Sequence, residues 1–181
     1  YPDHQILADD EGKVVSLTKA IGRRMRRKKK GFAVPIKGLT PGMAVHFGGC
    51  CHPIPGDRIV GIVTSGKGVA IHTIDCETLE KLDQESERWL DVTWDQGRAA
   101  EKSHMARIYV VLANEAGSLG NLSTTIGKNV SNITNLKITN RSSDFFEIMV
   151  DLEVKDVKHL ANIIAALRAT PAINSVERAR G

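Results

Sequence analysis

The stretch FEIMVDLEVKDVKHLANIIAALRATPAINSVER, residues 146–178, changes its apolar period twice. Phe146, Ile148, Val150, Leu152 and Val154 alternate strictly with Glu147, Met149, Asp151 and Glu153, the pattern of a half-buried strand. Asp156 is then a good N-cap for Val157, Leu160, Ala161, Ile164 and Leu167, an apolar stripe at i, i+3, i+4 and i+7. The helix stops before Thr170-Pro171, and Ile173 to Arg178 reads as a last strand. Upstream, Arg107 to Ala113 is a β-branched run and Asn114-Glu115-Ala116-Gly117 is a turn. Leu119, Leu122, Ile126 and Val130 follow at helical spacing. Ile133, Leu136 and Ile138 lie in a further strand, ended by a tight turn over Arg141 to Asp144. The order β-α-β-β-α-β over 105–181 puts both helices on one face of an antiparallel sheet, because the crossovers are right-handed. That is the ferredoxin-like sandwich.

Residues 96–104 are polar and without period, and are read as a linker. Residues 31–95 are short strands punctuated by glycine and proline. Phe32 to Lys37 reads as a strand ended by Gly38-Leu39-Thr40-Pro41-Gly42. Arg58 to Thr64 and Val69 to Thr73 form a hairpin around Ser65-Gly66-Lys67-Gly68. Cys76 to Ser86, with Leu79 and Leu82 on one side, reads as a short amphipathic helix, and Arg88 to Asp95 as a return strand. The fold class is α+β, a small β-rich module followed by a ferredoxin-like βαββαβ domain. Residues 1–30 are read as a basic linker or helical segment.

The chain of 181 residues is 41% apolar and 25% charged, which excludes a disordered or fibrous protein. No stretch approaches the ~20 consecutive apolar residues of a membrane helix, so no membrane partner is expected. Tyr1-Pro2-Asp3-His4 is neither a signal peptide nor an initiator, and a piece of a longer cytoplasmic protein is expected. The net charge of +4 is segmental, and most of the excess sits in Arg23-Arg24-Met25-Arg26-Arg27-Lys28-Lys29-Lys30. Such a run coats a phosphate backbone, or else is a solvated linker.

Two constellations carry chemistry. The first is Gly48-Gly49-Cys50-Cys51-His52-Pro53-Ile54-Pro55-Gly56-Asp57 with His72-Thr73-Ile74-Asp75-Cys76. A structural zinc takes four thiolate or imidazole ligands, often one pair before a hairpin and one after it, and His72 to Cys76 has the second spacing. Cys50 and Cys51 have no gap, which in a strand would point them to opposite faces; the surrounding glycines and prolines allow a non-extended backbone. Two other readings stay open: buried thiols filling a core, and a thiol enzyme using Cys51 with a His and Asp75. His46 and His52 are read as surface residues. The second constellation is Gly117-Ser118-Leu119-Gly120, where amide N–H groups at a helix start attract a carboxylate or phosphate. An amino acid's carboxylate fits there, with Asn114 holding the ammonium. Asn132 and Ile133 would close the pocket from a neighbouring copy; a plain helix cap is the other reading. No phosphate loop, dinucleotide fingerprint or H-E-x-x-H motif occurs, so no catalytic residues are expected in this fragment.

The Cys50-Cys51-x-Pro53-x-Pro55-Gly56-Asp57 string with the downstream His72-x-x-Asp75-Cys76 closely resembles the cysteine-containing zinc-finger module of long RelA/SpoT-type (Rel) proteins. These are synthetases and hydrolases of the alarmones ppGpp and pppGpp. The Gly117-containing unit resembles the ACT domain that ends the same proteins, a module known elsewhere for binding amino acids. The resemblance implies Zn2+ held by Cys50, Cys51, His72 and Cys76, with Asp75 beside them. It implies a ligand site over Asn114, Glu115, Ala116, Gly117, Ser118 and Leu119, completed by Asn132 and Ile133 in an ACT-mediated homodimer. A small aliphatic amino acid, valine or isoleucine, is expected from Leu119, Ile126, Val130 and Ile133. The implied partners are the ribosome through large-subunit rRNA, uncharged tRNA, and the N-terminal catalytic domains of the same chain. Those domains, which make the parent a GTP pyrophosphokinase and (p)ppGpp 3′-pyrophosphohydrolase, are absent here. Arg23, Arg24, Arg26, Arg27, Lys28, Lys29 and Lys30 would face the rRNA. The rival expectations are a ligand-free ACT docking module and the thiol enzyme.

Overall fold

The computed structural model describes residues 6–8, 14–16, 34–82 and 88–179. The chain divides into two compact units, Tyr1–Ala33 and Val34–Gly181. In the first, β1 (Ile6–Ala8) pairs antiparallel with β2 (Val14–Ser16). Strand, not helix, is therefore what the described part of the 1–30 segment forms. The basic run Arg23 to Lys30 lies outside the described residues.

The second unit begins with β3 (Ile36–Lys37), β4 (Val45–Phe47), β5 (Ile59–Thr64), β6 (Gly68–Thr73) and α1 (Glu77–Glu80), followed by β7 (Trp89–Asp91) and β8 (Thr93–Trp94). The expected hairpin is β5–β6, paired from Ile59↔Thr73 to Thr64↔Gly68. β4 adds in parallel to β6 and β7 antiparallel to β5, in the order β4-β6-β5-β7. The expected strand over 32–37 is reduced, among described residues, to two residues that pair with β8. The return strand over 88–95 is likewise split. Val92, 2% exposed, breaks the ladder between β7 and β8 and packs with Ile36, Ile59, Val69 and Ile71 instead. The helix expected over 76–86 is only one turn among the described residues, with Cys76 at its N-cap.

Part of the expected linker is ordered. α2 (Gln96–Ala99) is a single turn that buries Ala99, and His104 already opens β9 (His104–Ala113). The remaining elements are α3 (Ser118–Lys128), β10 (Ile133–Arg141), β11 (Phe145–Val154), α4 (Val157–Arg168) and β12 (Ile173–Arg178). They form a four-stranded antiparallel sheet, β10-β11-β9-β12, in the expected βαββαβ order. Ala106, Ile108, Val110 and Leu112 of β9 and Ile148, Val150, Leu152 and Val154 of β11 share one face. That face packs under Leu122 and Ile126 of α3 and Leu160, Ile163 and Leu167 of α4. Asp156 caps α4 as expected, accepting from the His159 amide at 2.7 Å.

Two helical stripes differ from the sequence reading. In α4 the third fully buried position is Ile163; Ala161 is exposed and Ile164 half-buried, so the buried face runs through Leu160, Ile163 and Leu167. Val130 is not on α3. It follows the Asn129 C-cap with φ 57 and 80% exposure, while the Ser131 amide reaches the Ile126 carbonyl at 3.3 Å, a Schellman closure.

On the open face of the sheet, Arg107 on β9 grips Asp151 on β11 through Nε (2.7 Å) and Nη2 (3.1 Å), and Asn135 on β10 donates to the same carboxylate at 3.3 Å. The Arg107 guanidinium holds the Asp151 carboxyl below its ordinary range, against the effect of burial. A depressed folded pKa contributes stability that is complete above the unfolded value and lost as pH falls through the folded one. Asp151→Asn is therefore expected to cost about 2 kcal/mol in urea unfolding near neutral pH. The gap to wild type should shrink at about pH 3, below the ordinary aspartate value, where the unfolded chain's carboxyl takes up a proton before the folded one does. A gap of equal size at the two pH values would contradict this assignment.

Candidate metal centre

The loop between β4 and β5 begins at Gly48, whose amide donates to Ile71 on β6 at 2.8 Å. The His52 amide returns to the Gly48 carbonyl at 3.0 Å, and His52 itself is left-handed at φ 46. The backbone from Gly48 to His52 is thus a closed turn and not a strand, so the Cys50 and Cys51 side chains can converge. Cys50 Sγ lies 3.3 Å from His72 Nδ1, 3.4 Å from Cys76 Sγ and 4.0 Å from Cys51 Sγ. Cys51 Sγ is 3.6 Å from His72 Nδ1. All four ligand atoms lie within 4.8 Å of one another. His72 comes from the end of β6 and Cys76 from the N-cap of α1, so two elements and one turn supply the set.

These separations fit a tetrahedral thiophilic cation. With bonds of about 2.3 Å to sulfur, the edges of the tetrahedron are about 3.8 Å. Cys51 and Cys76 are each 3% exposed, His72 8%, and the Thr73 amide points at Cys51 Sγ at 3.4 Å, a donor suited to a thiolate. Burial pushes the Cys51 thiol up to about 12. Burial also acts to raise Cys50, but hydrogen bonding with Thr78, Cys76 and Cys51 brings it below its ordinary value. His72 is lowered, first by burial and then by His46, which keeps it in the neutral form a metal ligand requires. As a nucleophile Cys51 is poorly placed, since at 3% exposure a substrate has little access to it.

Gly48 owes its place to this cluster, a role the sequence reading missed. A Cβ there would lie 2.7 Å from His72 Nδ1. Asp75 is exposed on the turn between β6 and α1. His46 is exposed as expected, whereas His52, read as a surface residue, is 8% exposed and its Nε2 is buried without a hydrogen-bond partner. Burial and the nearby Arg107 lower its pKa.

The second constellation is divided between the two ends of the ferredoxin-like sheet. Asn114, Glu115, Ala116, Gly117, Ser118 and Leu119 lie where β9 runs into α3, with Gly117 at φ 87 in the N-cap position. Asn114 Nδ2 donates to the Ser142 carbonyl at 2.7 Å. Ser118 is 2% and Leu119 37% exposed. Asn132 and Ile133 sit at the other end, where Ile133 pairs with Leu152 and Leu152 with Ala106. The span of β9 from Ala106 to the Asn114 turn separates them, about 26 Å at 3.3 Å per residue. Of the four expected pocket residues, Ile126 is 1% exposed within the core of its own sandwich, while Val130 stands at the Ile133 end.

Residues 34–95 match the RelA/SpoT RIS domain family and residues 100–178 the ACT domain family. The GTP pyrophosphokinase rsh of Brucella ovis is 38% identical over 151 residues, which are 82% of this chain and 20% of that protein. The bifunctional (p)ppGpp synthase/hydrolase SpoT of Escherichia coli K12 is 35% identical over 147 residues, 81% of this chain and 20% of that protein. Among solved structures, the ACT domain from GTP pyrophosphokinase of Chlorobium tepidum is 24% identical, covers 42% of this chain and 97% of its own, and has a TM-score of 0.38. The chain spans about a fifth of the length of the curated relatives it matches. The chain thus carries a RelA/SpoT RIS domain followed by an ACT domain, and is homologous to the C-terminal region of the Rsh and SpoT proteins.

Proposed function

We propose that this chain is the regulatory C-terminal region of a (p)ppGpp synthetase/hydrolase, in which a structural zinc ion orders the RIS module and the ACT module takes up an amino acid. The observation that carries the reading is the convergence of Cys50, Cys51, His72 and Cys76 within 4.8 Å, in a module with only two small apolar clusters among its described residues to hold it. The four side chains would bind the ion, and its charge would offset the cost of burying thiolates. The parent's N-terminal catalytic domains, large-subunit rRNA and uncharged tRNA are the proposed partners. The run from Arg23 to Lys30 is the proposed rRNA-facing segment, and zinc the only proposed cofactor.

The amino-acid site requires two copies. β10 is an edge strand of nine residues, with Leu136 39% and Ile138 47% exposed. Antiparallel pairing of β10 with its symmetry mate would bring Val130, Asn132 and Ile133 of one copy to the Asn114–Leu119 turn of the other. The turn's amides would take the carboxylate, and Leu119 with the second copy's Val130 and Ile133 a branched aliphatic side chain. The exposure of Glu115, Ala116 and Gly117 favours a second reading, in which this turn docks against rRNA or the catalytic domains without a ligand.

Elemental analysis of the purified chain is expected to give one zinc per polypeptide. Gly48→Ala, which forces the His72 ring away, should lower that content several-fold; zinc-free wild type, or a fully loaded Gly48→Ala, would remove the metal reading. Titration calorimetry is expected to show heat with valine or isoleucine at micromolar to millimolar concentration. Silence across all twenty amino acids would leave the docking reading in its place.

A further inference from the structure

The loop that carries Cys50 and Cys51 does not end at the metal cluster. Its second half, Pro53 to Asp57, is built into the ACT module. Ile54 is fully buried, and its side chain belongs to the ACT core with Ala106, Val154 and Leu160, not to either cluster of the RIS module. Pro55 offers its carbonyl to the Val157 amide at 2.9 Å, satisfying one of the orphan donors at the start of α4. Gly56, at φ 99, passes so close that a Cβ would stand 3.2 Å from Val157 Cβ. The Asp57 amide returns to the Ile54 carbonyl at 3.0 Å, which with Pro55 and Gly56 at the central positions is a type II turn.

Asp57 then ties both halves together. Its Oδ2 accepts from the Ile54 amide at 2.8 Å, which fixes the turn. Its two oxygens also take a bidentate clamp from Arg178 on β12, Nη1 at 2.7 Å and Nη2 at 2.6 Å. Arg178 Nη2 reaches on to the His52 carbonyl at 3.3 Å, one residue from Cys51. The paired side chains are only 18% and 12% exposed, so the contact is little screened by solvent. Between the last thiol of the turn and the first residue of the ACT core stand His52, held left-handed, and Pro53. That span has few soft dihedrals in which a displacement at one end could be absorbed.

We propose that the Cys50–Asp57 loop is the docking surface of the RIS module for the ACT module, and that it couples metal occupancy to ACT docking. An ion at the cysteines fixes the turn that presents Ile54 and Asp57. A docked ACT module, through Arg178 on the His52 carbonyl and the Asp57 side chain, in turn holds the cysteine turn closed. The coupling is reciprocal, because each event stabilises the same conformation of one loop. The inference rests on the zinc reading above and adds to it a direction in which the metal state is felt.

The test uses the full 181-residue chain, zinc alone as ligand and a chromogenic chelator as competitor. Arg178→Ala and Ile54→Ala touch no metal ligand, yet each is expected to weaken zinc about 5- to 150-fold, the usual span of coupling between two sites. Ile138→Ala, on the exposed edge strand β10 and outside that core, should leave zinc affinity within about twofold of wild type. Hydrogen exchange on the wild type needs no variant. Chelation is expected to speed exchange of the Val157 amide and of the β12 amides, while the β10–β11 ladder changes little. Zinc bound by wild type with unchanged affinity in Arg178→Ala and Ile54→Ala would overturn the coupling and leave the zinc site standing, as would Val157 exchange indifferent to chelation. A wild type that binds no zinc would overturn both.

Discussion

Two adjacent cysteines can serve one centre only if the backbone between them leaves the extended conformation. The Gly48–His52 turn meets that condition with a return hydrogen bond to the Gly48 carbonyl and a left-handed residue at its end. The other two members of the cluster are brought to this turn by neighbouring elements. β6 delivers His72, the N-cap of α1 delivers Cys76, and Gly48 has no side chain because the His72 ring occupies the space. The clusters Ile36–Val92 and Cys51–Leu79 are small, each with five buried members. A module of that size has little apolar area to set against its conformational entropy, so a bound cation would supply a large share of its stability.

The ferredoxin-like half has the opposite economy. Its sixteen-residue buried cluster needs no staple, and it lends one position of that core to Ile54 from the neighbouring module. Two ion pairs of different purpose flank it. Arg107–Asp151 ties adjacent strands of one sheet, whereas Arg178–Asp57 joins residues 121 apart in sequence. The latter ties the loop of the cysteines to the last strand of the ACT module, which makes the two halves one compact unit.

Periodicity made the ACT fold readable, because strict alternation in β11 and the capped stripe of α4 each admit one geometry. Where period failed, a local competitor had won. Val92 takes a core position and splits the strand over 88–95, and Val130 turns left-handed to close α3. The four cysteine and histidine positions were legible from residue type and from the motif, but their convergence was not, since adjacency alone argues against it. Least visible was the second role of the Pro53–Asp57 string. Nothing local in sequence links Asp57 to Arg178, and a buried isoleucine between two prolines carries no period to say whose core it joins.

X-ray absorption at the zinc edge of the loaded protein bears on the account most directly. The predicted spectrum has three sulfur scatterers at about 2.3 Å and one imidazole nitrogen at about 2.0 Å, with no open position. A shell of oxygen and nitrogen alone would contradict it, because the ion would then lie elsewhere and the turn at Gly48 would be shaped by packing and not by a cation.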